Sequence, residues 1–162
     1  MKLRNATLAA IGLVAIAGCS QNLDALAERQ SAVASAGATV MPFDLNATTH
    51  FFTDTDFGGV QTVNANSPSD TGNINLIREH LAEEASKFRA GDFSDPAAVH
   101  GDSMPGLPVL RQRHADVSIK VTNTASGATL TYRASAPAVV GALHEWFGAQ
   151  RMDHGSHAMN MN

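Results

Sequence analysis

The clearest pattern in the chain is an alternation of apolar and polar residues in its last third. Residues 117–122 and 129–133 each place an apolar side chain at every second position, and these are Val117, Ile119, Val121, Leu130 and Tyr132. Successive side chains of a strand point to opposite faces, so the alternation predicts two half-buried strands. The Ala125-Ser126-Gly127 segment between them predicts a turn and therefore a hairpin.

An earlier hairpin is predicted by residue types. The segment Thr48–Thr53 is rich in β-branched and aromatic residues, and Val60–Val63 follows a turn over residues 54–59. The loop after it, around Pro68, ends this first pair of strands.

Helical spacing follows each hairpin. Between Thr71 and Arg89 the apolar arc contains Leu76, Ile77, Leu81, Ala85 and Phe88, and Gly91 predicts the end of this helix. A second helix is expected to run to about Met152, with Ser135 as its cap and Pro137 in its first turn. A short helical turn is expected over residues 107–111.

The order of these elements predicts an α+β fold. We expect an antiparallel sheet made from two hairpins, with two helices packed on one face, in the order ββα-ββα. Residues 41–152 would form this single domain. Residues 19–40, which are rich in Ala, Ser and Gln, predict a flexible tether, and residues 153–162 predict a polar tail rich in His and Met.

The N-terminus predicts export. Lys2 and Arg4 precede a short apolar stretch that ends at Cys19, the single cysteine of the chain. This segment resembles the lipobox of bacterial lipoproteins, in which residues 1–18 would be a signal peptide and the cysteine would carry lipid, including palmitate. Ser20 then resembles the sorting signal for the outer membrane, facing the periplasm. The lipid is the expected membrane contact, at about 0.8 kcal/mol per buried methylene.

Charge and missing motifs narrow the function. The chain has 11 basic and 15 acidic side chains and a net charge of −4, which argues against binding nucleic acid. It has no phosphate-binding loop and no nucleophile elbow. An acylated Cys19 would leave no free thiol, so thiolate ligands and cysteine nucleophiles are excluded from the domain.

Histidine therefore carries the candidate chemistry, because imidazole is a common metal ligand. His80 and Glu84 lie one helical turn apart on the apolar arc, where they could be two ligands, a ligand with its hydrogen-bond partner, or a buried pair. His144 lies at the edge of the apolar arc of the second helix. His50 is expected on a strand and His100 in a loop, whereas His114 is expected to be solvated.

Methionine could add thioether donors, which suit copper. Met104 follows His100 by four residues, and the tail combines two histidines with several methionines. We interpret His157, Met159 and Met161 as auxiliary donors, with Glu84 and Met104 in similar supporting roles. The alternative is a tail whose composition has no function. His154, directly after the second helix, is expected to be ordered and close to the domain.

Much of the domain resembles a family of small exported bacterial proteins that often carry the name aspartate carbamoyltransferase. The matching segments are Met41-Pro42-Phe43-Asp44-Leu45, Thr48-Thr49-His50-Phe51-Phe52, Ile77-Arg78-Glu79-His80-Leu81, Gly91-Asp92-Phe93-Ser94-Asp95-Pro96, His100-Gly101, Met104-Pro105-Gly106-Leu107, Ala142-Leu143-His144, Trp146-Phe147 and Asp153-His154-Gly155. The resemblance implies that His50, His80, His100, His144 and His154 are the family's histidines. The Ser-Thr-Arg-Thr-Arg phosphate motif of transcarbamoylases is absent.

Three hypotheses follow. The first is a lipid-anchored, non-enzymatic protein that binds a transition metal, with copper ahead of zinc and haem, through a subset of these five histidines. The second is an envelope interaction module whose histidines serve packing, with an unknown protein partner. The third is a small transferase or hydrolase, including carbamoyl transfer. Convergence of the histidine rings in space would favour the first over the second.

Overall fold

The computed structural model describes residues 17–159 of the 162-residue chain, with side chains described from residue 22. The side chain of Cys19, most of the predicted signal peptide and Met161 lie outside the described residues. The predicted α+β fold is confirmed. It contains a five-stranded, mostly antiparallel sheet and five α-helices.

The two predicted hairpins form the body of the sheet. Strands β1 (Thr48–Thr55) and β2 (Gly58–Ala65) pair antiparallel, as do β3 (Ser118–Asn123) and β4 (Gly127–Arg133). The hairpins join through antiparallel pairing of β2 with β4. A two-residue strand, β5 (Ala158–Met159), adds to β1 in parallel and completes the order β3-β4-β2-β1-β5.

One face of this sheet is covered by the two long helices α2 (Thr71–Arg89) and α5 (Pro137–His154). Helix α2 starts where the Asp70 side chain accepts a hydrogen bond from the Asn73 backbone N–H, a common way to satisfy the first turn. Its buried arc includes Ile74, whereas Leu76, which was predicted to belong to the arc, is 36% exposed and lies outside it. Large aromatic side chains from both layers fill the core, including Phe52, Phe88, Trp146 and Tyr132.

Two shorter helices occupy the connection between α2 and β3. They are α3 (Ser94–His100) and α4 (Leu107–Gln112). Gly106, at the start of α4, has φ +78°, and a Cβ atom there would lie 2.0 Å from the Ala142 carbonyl oxygen. This close approach of α4 to α5 requires glycine.

The segment expected to be a tether is instead helical. In helix α1 (Ala17–Val40), residues 22–29 are exposed, but Val33 is 1% exposed and packs against the domain. It contacts α3 and α5. No helix of the described residues is long and apolar enough to cross a bilayer.

The C-terminal segment also differs from the prediction. Helix α5 continues through Asp153 and His154, and a short 3₁₀ turn at Gly155–His157 leads into β5. Residues 153–159 are thus part of the domain rather than a separate tail. Ser135 does not cap α5, because the residue before the helix is Ala136 and no side chain bonds to the first turn.

Candidate functional site

Four histidines of the domain line one cavity. It lies between the sheet, α2, α3 and α5, has a volume of ≈ 60 Å³, and is lined by His50, His80, His100 and His154. A space of this size holds an ion or a few water molecules, since one water needs roughly 10–15 Å³ by the same measure. The structure therefore brings together four of the five predicted histidines.

Each ring reaches the cavity from a different element. His50 comes from the core-facing side of β1, His80 from α2, His100 from the last turn of α3, and His154 from the last turn of α5. Because β1 alternates sides, His50 points inward together with Thr48 and Phe52, which are also buried.

Three of the rings form a contiguous row. The centroids of His100 and His154 are 4.9 Å apart and those of His154 and His50 are 5.2 Å apart, both in edge-to-face orientation. Phe43 continues the row, because its ring packs edge-on against His50 at 5.9 Å and against His80 at 5.7 Å. His80 therefore lies across an aromatic ring from the other three.

Hydrogen bonds define which ring nitrogens carry protons. The Nδ1–H of His100 donates to the Asp153 carboxylate at 2.8 Å, so the lone pair of the neutral ring is on Nε2. The Nε2–H of His154 donates to the Gln150 side-chain oxygen at 3.2 Å, which leaves Nδ1 as its lone pair. Within the part of the chain that the structure describes, the buried Nε2 of His50 has no hydrogen-bond partner.

Burial keeps these imidazoles neutral. It lowers the pKa of His50 to about 4, with the neighbouring histidines lowering it further. The same two causes lower the pKa of His154 to about 2. Burial also lowers the pKa of His100, against the opposing effect of Asp153. At neutral pH the cavity therefore offers uncharged imidazole nitrogens, which is the form that binds metals.

The far wall of the cavity carries two carboxyl groups. Burial and the nearby Asp95 raise the pKa of Glu84 to about 8, so this carboxyl is largely protonated at pH 7. Asp95 in turn forms a 2.6 Å ion pair with Lys87. The predicted neighbourhood of His80 and Glu84 on the cavity wall is thus present, with Glu84 5% exposed.

Unpaired buried atoms also concentrate here. Among the described residues, four buried side-chain atoms have no hydrogen-bond partner, and three of them line this cavity: His50 Nε2, Trp146 Nε1 and Glu84 Oε1. The Glu84 oxygen lies 3.4 Å from the Lys87 ammonium. Buried polar atoms are rarely left unpaired without a reason such as an ion, a ligand or water. The cavity is therefore lined by polar atoms with unused hydrogen-bonding capacity.

The other predicted ligands lie elsewhere. His144 donates from Nε2 to the carbonyl oxygens of Thr55 and Gly58, at 3.0 and 2.9 Å, and so closes the β1–β2 hairpin. Met104 is buried in the hydrophobic core. Met159 pairs with Phe51, the neighbour of His50 on the opposite face of β1, so the structure does not bring its thioether to the cavity.

A wider groove connects the cavity to the surface. It has a volume of ≈ 610 Å³, runs between α1 and the chain at residues 41–48, and shares Met41, Phe43, His50 and His154 with the cavity wall. His157 lines this groove, beside His50 and His154. Two of the three rings of the row, His50 and His154, therefore also border the groove.

Four residues of the site were not predicted. Asp153 and Gln150 on α5 bond to His100 and His154, Asp95 on α3 faces Glu84, and Arg29 on α1 binds Asp153. The spacing of Gln150 and His154, one helical turn apart, was a usable signal. Arg29 gave none, because it lies in the segment expected to be a tether.

The comparisons with known proteins add no relative. No family model matches the chain, and no curated protein and no solved structure matches it either. The resemblance drawn from the sequence motifs thus stays a prediction.

Proposed function

We propose that the protein is an envelope lipoprotein whose domain binds a transition metal ion at the row formed by His50, His154 and His100. Copper is the favoured metal. The single observation that carries the proposal is the row itself, with three neutral imidazoles in contact and an unpaired, buried Nε2 on His50.

The ring spacing supports this proposal. Metal–nitrogen bonds of about 2.0 Å place the centres of two imidazoles on a shared ion roughly 4.5–5.5 Å apart. The observed separations are 4.9 and 5.2 Å. Among residues 22–159, however, no three His, Cys, Asp or Glu side chains meet the geometry of a preformed metal site. Binding would therefore require small rotations of the rings.

Asp153 supplies the outer contact that metal-bound histidines usually have. It accepts the Nδ1–H of His100 and so leaves the lone pair on the opposite nitrogen. Gln150 has the same relation to His154. In His100 and His154, one ring nitrogen thus donates to a protein oxygen and the other carries the lone pair.

Affinity order and cavity size favour copper. Sites made of nitrogen ligands bind Cu²⁺ more tightly than Zn²⁺. A volume of ≈ 60 Å³ has no room for a porphyrin, which disfavours haem. The proposed envelope location and lipid at Cys19 depend on the N-terminal sequence pattern alone. The lipid would be detected as added mass on the mature N-terminus.

Titration of the purified protein with Cu²⁺ and Zn²⁺ tests the metal proposal. We expect binding at micromolar concentration or tighter, with at least a tenfold loss in His50→Ala and in His154→Ala. His114→Ala is the matched control, because this ring bonds to the Arg89 carbonyl outside the cavity. Absence of binding, or equal losses in all three variants, would favour the alternative of an interaction module with structural histidines.

A further inference from the structure

Arg29 joins helix α1 to the histidine row. Its Nε and Nη2 donate to the two carboxylate oxygens of Asp153, at 2.9 and 2.5 Å. The same Nη2 also donates to the backbone carbonyl oxygen of His100 at 2.7 Å. One guanidinium thus contacts both members of the Asp153–His100 pair.

The shared atom in this arrangement is Asp153 Oδ2. It accepts from Arg29 Nη2 and from the Nδ1–H of His100. A bidentate arginine fixes the plane of a carboxylate, because its donors are held in a rigid fork. Because a carboxylate can only accept, the Asp153 oxygen held by Arg29 in turn keeps the proton of the neutral His100 ring on Nδ1.

Other contacts show that α1 packs against the domain at this point. Gln30 donates to the Met152 carbonyl oxygen at 2.9 Å, and Val33 is 1% exposed. Gly155 has φ +53°, and a Cβ there would lie 2.7 Å from the Gln30 side chain, so glycine permits the approach. This contact region of α1 lies directly beside His154.

We propose that Arg29 is a positioning residue of the histidine row, and that docking of α1 through Arg29 holds His100 in the tautomer with its proton on Nδ1. Helix α1 is then a working part of the site. The proposal deepens the metal-binding function above and rests on it for its effect on metal affinity. Its structural core concerns the metal-free protein.

The test is the protonation of the His100 ring, measured by long-range ¹⁵N–¹H NMR of the metal-free protein at neutral pH. We expect the Nδ1–H tautomer in the native chain and a mixture with the Nε2–H form in Arg29→Gln. Arg29→Lys keeps the charge without the fork and should recover part of the native signal. Arg113→Gln is the control, because Arg113 pairs with Asp116 on the surface.

Copper titration of the same variants gives the functional readout. Loss of an outer hydrogen-bond partner weakens metal binding about 10–100-fold. Since Arg29 acts through Asp153, we expect Arg29→Gln to lie near the lower limit, about tenfold. The backbone amide spectrum of Arg29→Gln should stay unchanged outside the region where α1 contacts α5.

Two results would overturn the proposal: native ¹⁵N shifts for His100 in Arg29→Gln, or an equal change in Arg113→Gln. Failure of the metal function is a separate outcome. If the His100 tautomer responds to Arg29 but no metal binds, the positioning role holds and the proposed function does not.

Discussion

The rings of His50 and His154 meet edge to face at 5.2 Å. His50 lies on strand β1, whereas His154 is the last residue of helix α5. The contact exists because β5, which follows α5, pairs with β1 and places Ala158 beside His50. The C-terminal segment thus assembles the site by returning to the sheet edge.

This contact predicts coupled effects on metal binding. His50→Ala and His154→Ala should each weaken copper binding, and the double variant should lose little more than the stronger single loss. The reason is that ligands of one ion act as a unit, so their effects are not additive. Isothermal titration of the four proteins measures the coupling. Losses that simply add would place the two rings at separate sites.

Metal addition should also stabilise the fold. A ligand that binds only the folded state, at about 100 times its Kd, adds about 2.7 kcal/mol. Thermal unfolding with and without copper measures the gain, and His50→Ala should abolish most of it. An equal gain in His50→Ala would show that copper binds elsewhere.

Acid should destabilise the native protein relative to His50→Gln. Burial lowers the pKa of folded His50 to about 4, whereas an unfolded histidine titrates near 6.5. The unfolded chain therefore takes up the proton first, so stability present above pH 6.5 is lost as pH falls toward 4. Between pH 7 and 5 the native chain should lose about 2 kcal/mol more than His50→Gln.

Urea unfolding at each pH measures this difference, and His114→Gln provides the control. If the native chain and His50→Gln show the same change with pH, the folded ring is already charged or solvated.

Glu84 should show the opposite dependence. Its pKa is raised to about 8 in the folded state, so the folded chain holds a proton that the unfolded chain releases above pH 4.5. Stability is therefore lost as pH rises toward 8. Glu84→Gln removes this loss, and its stability relative to the native chain should grow by about 1 kcal/mol per pH unit between 5 and 8. Glu83→Gln, at an exposed neighbouring position, is the control.

We expect His144 to contribute to the free energy of unfolding but not to the affinity for copper. Its partly buried Nε2–H donates to two carbonyl oxygens at the β1–β2 turn, and loss of such a donor costs about 1–3 kcal/mol. His144→Ala should therefore lower the free energy of unfolding by that amount while copper affinity stays within twofold. A large loss of copper affinity without unfolding would return His144 to the ligand set.

The sequence predicted elements whose side chains alternate strictly, and it failed where tertiary contacts decide. Residues 117–133 alternate by two and form the expected hairpin. Residues 19–40 have a thin apolar face, which predicted a tether, but buried Val33 and the Arg29–Asp153 ion pair hold them as a helix. Local pattern carries no information about such a distant partner.

The candidate site shows the same limit. Helical spacing placed Glu84 and His80 on one side of α2, and both line the cavity. His144 has a similar position on α5, yet it turns to the hairpin carbonyls, because only the packed sheet reveals which backbone oxygens need a donor. The role of Asp153 also depends on α3 ending beside α5.

Because α1 is helical, the distance between position 19 and the site is defined. A helix rises about 1.5 Å per residue, so Arg29 stands roughly 15 Å along the axis from position 19. A lipid at Cys19, as proposed above, would then be joined to the domain by a helix of defined length, whereas a coil would have a variable end-to-end distance.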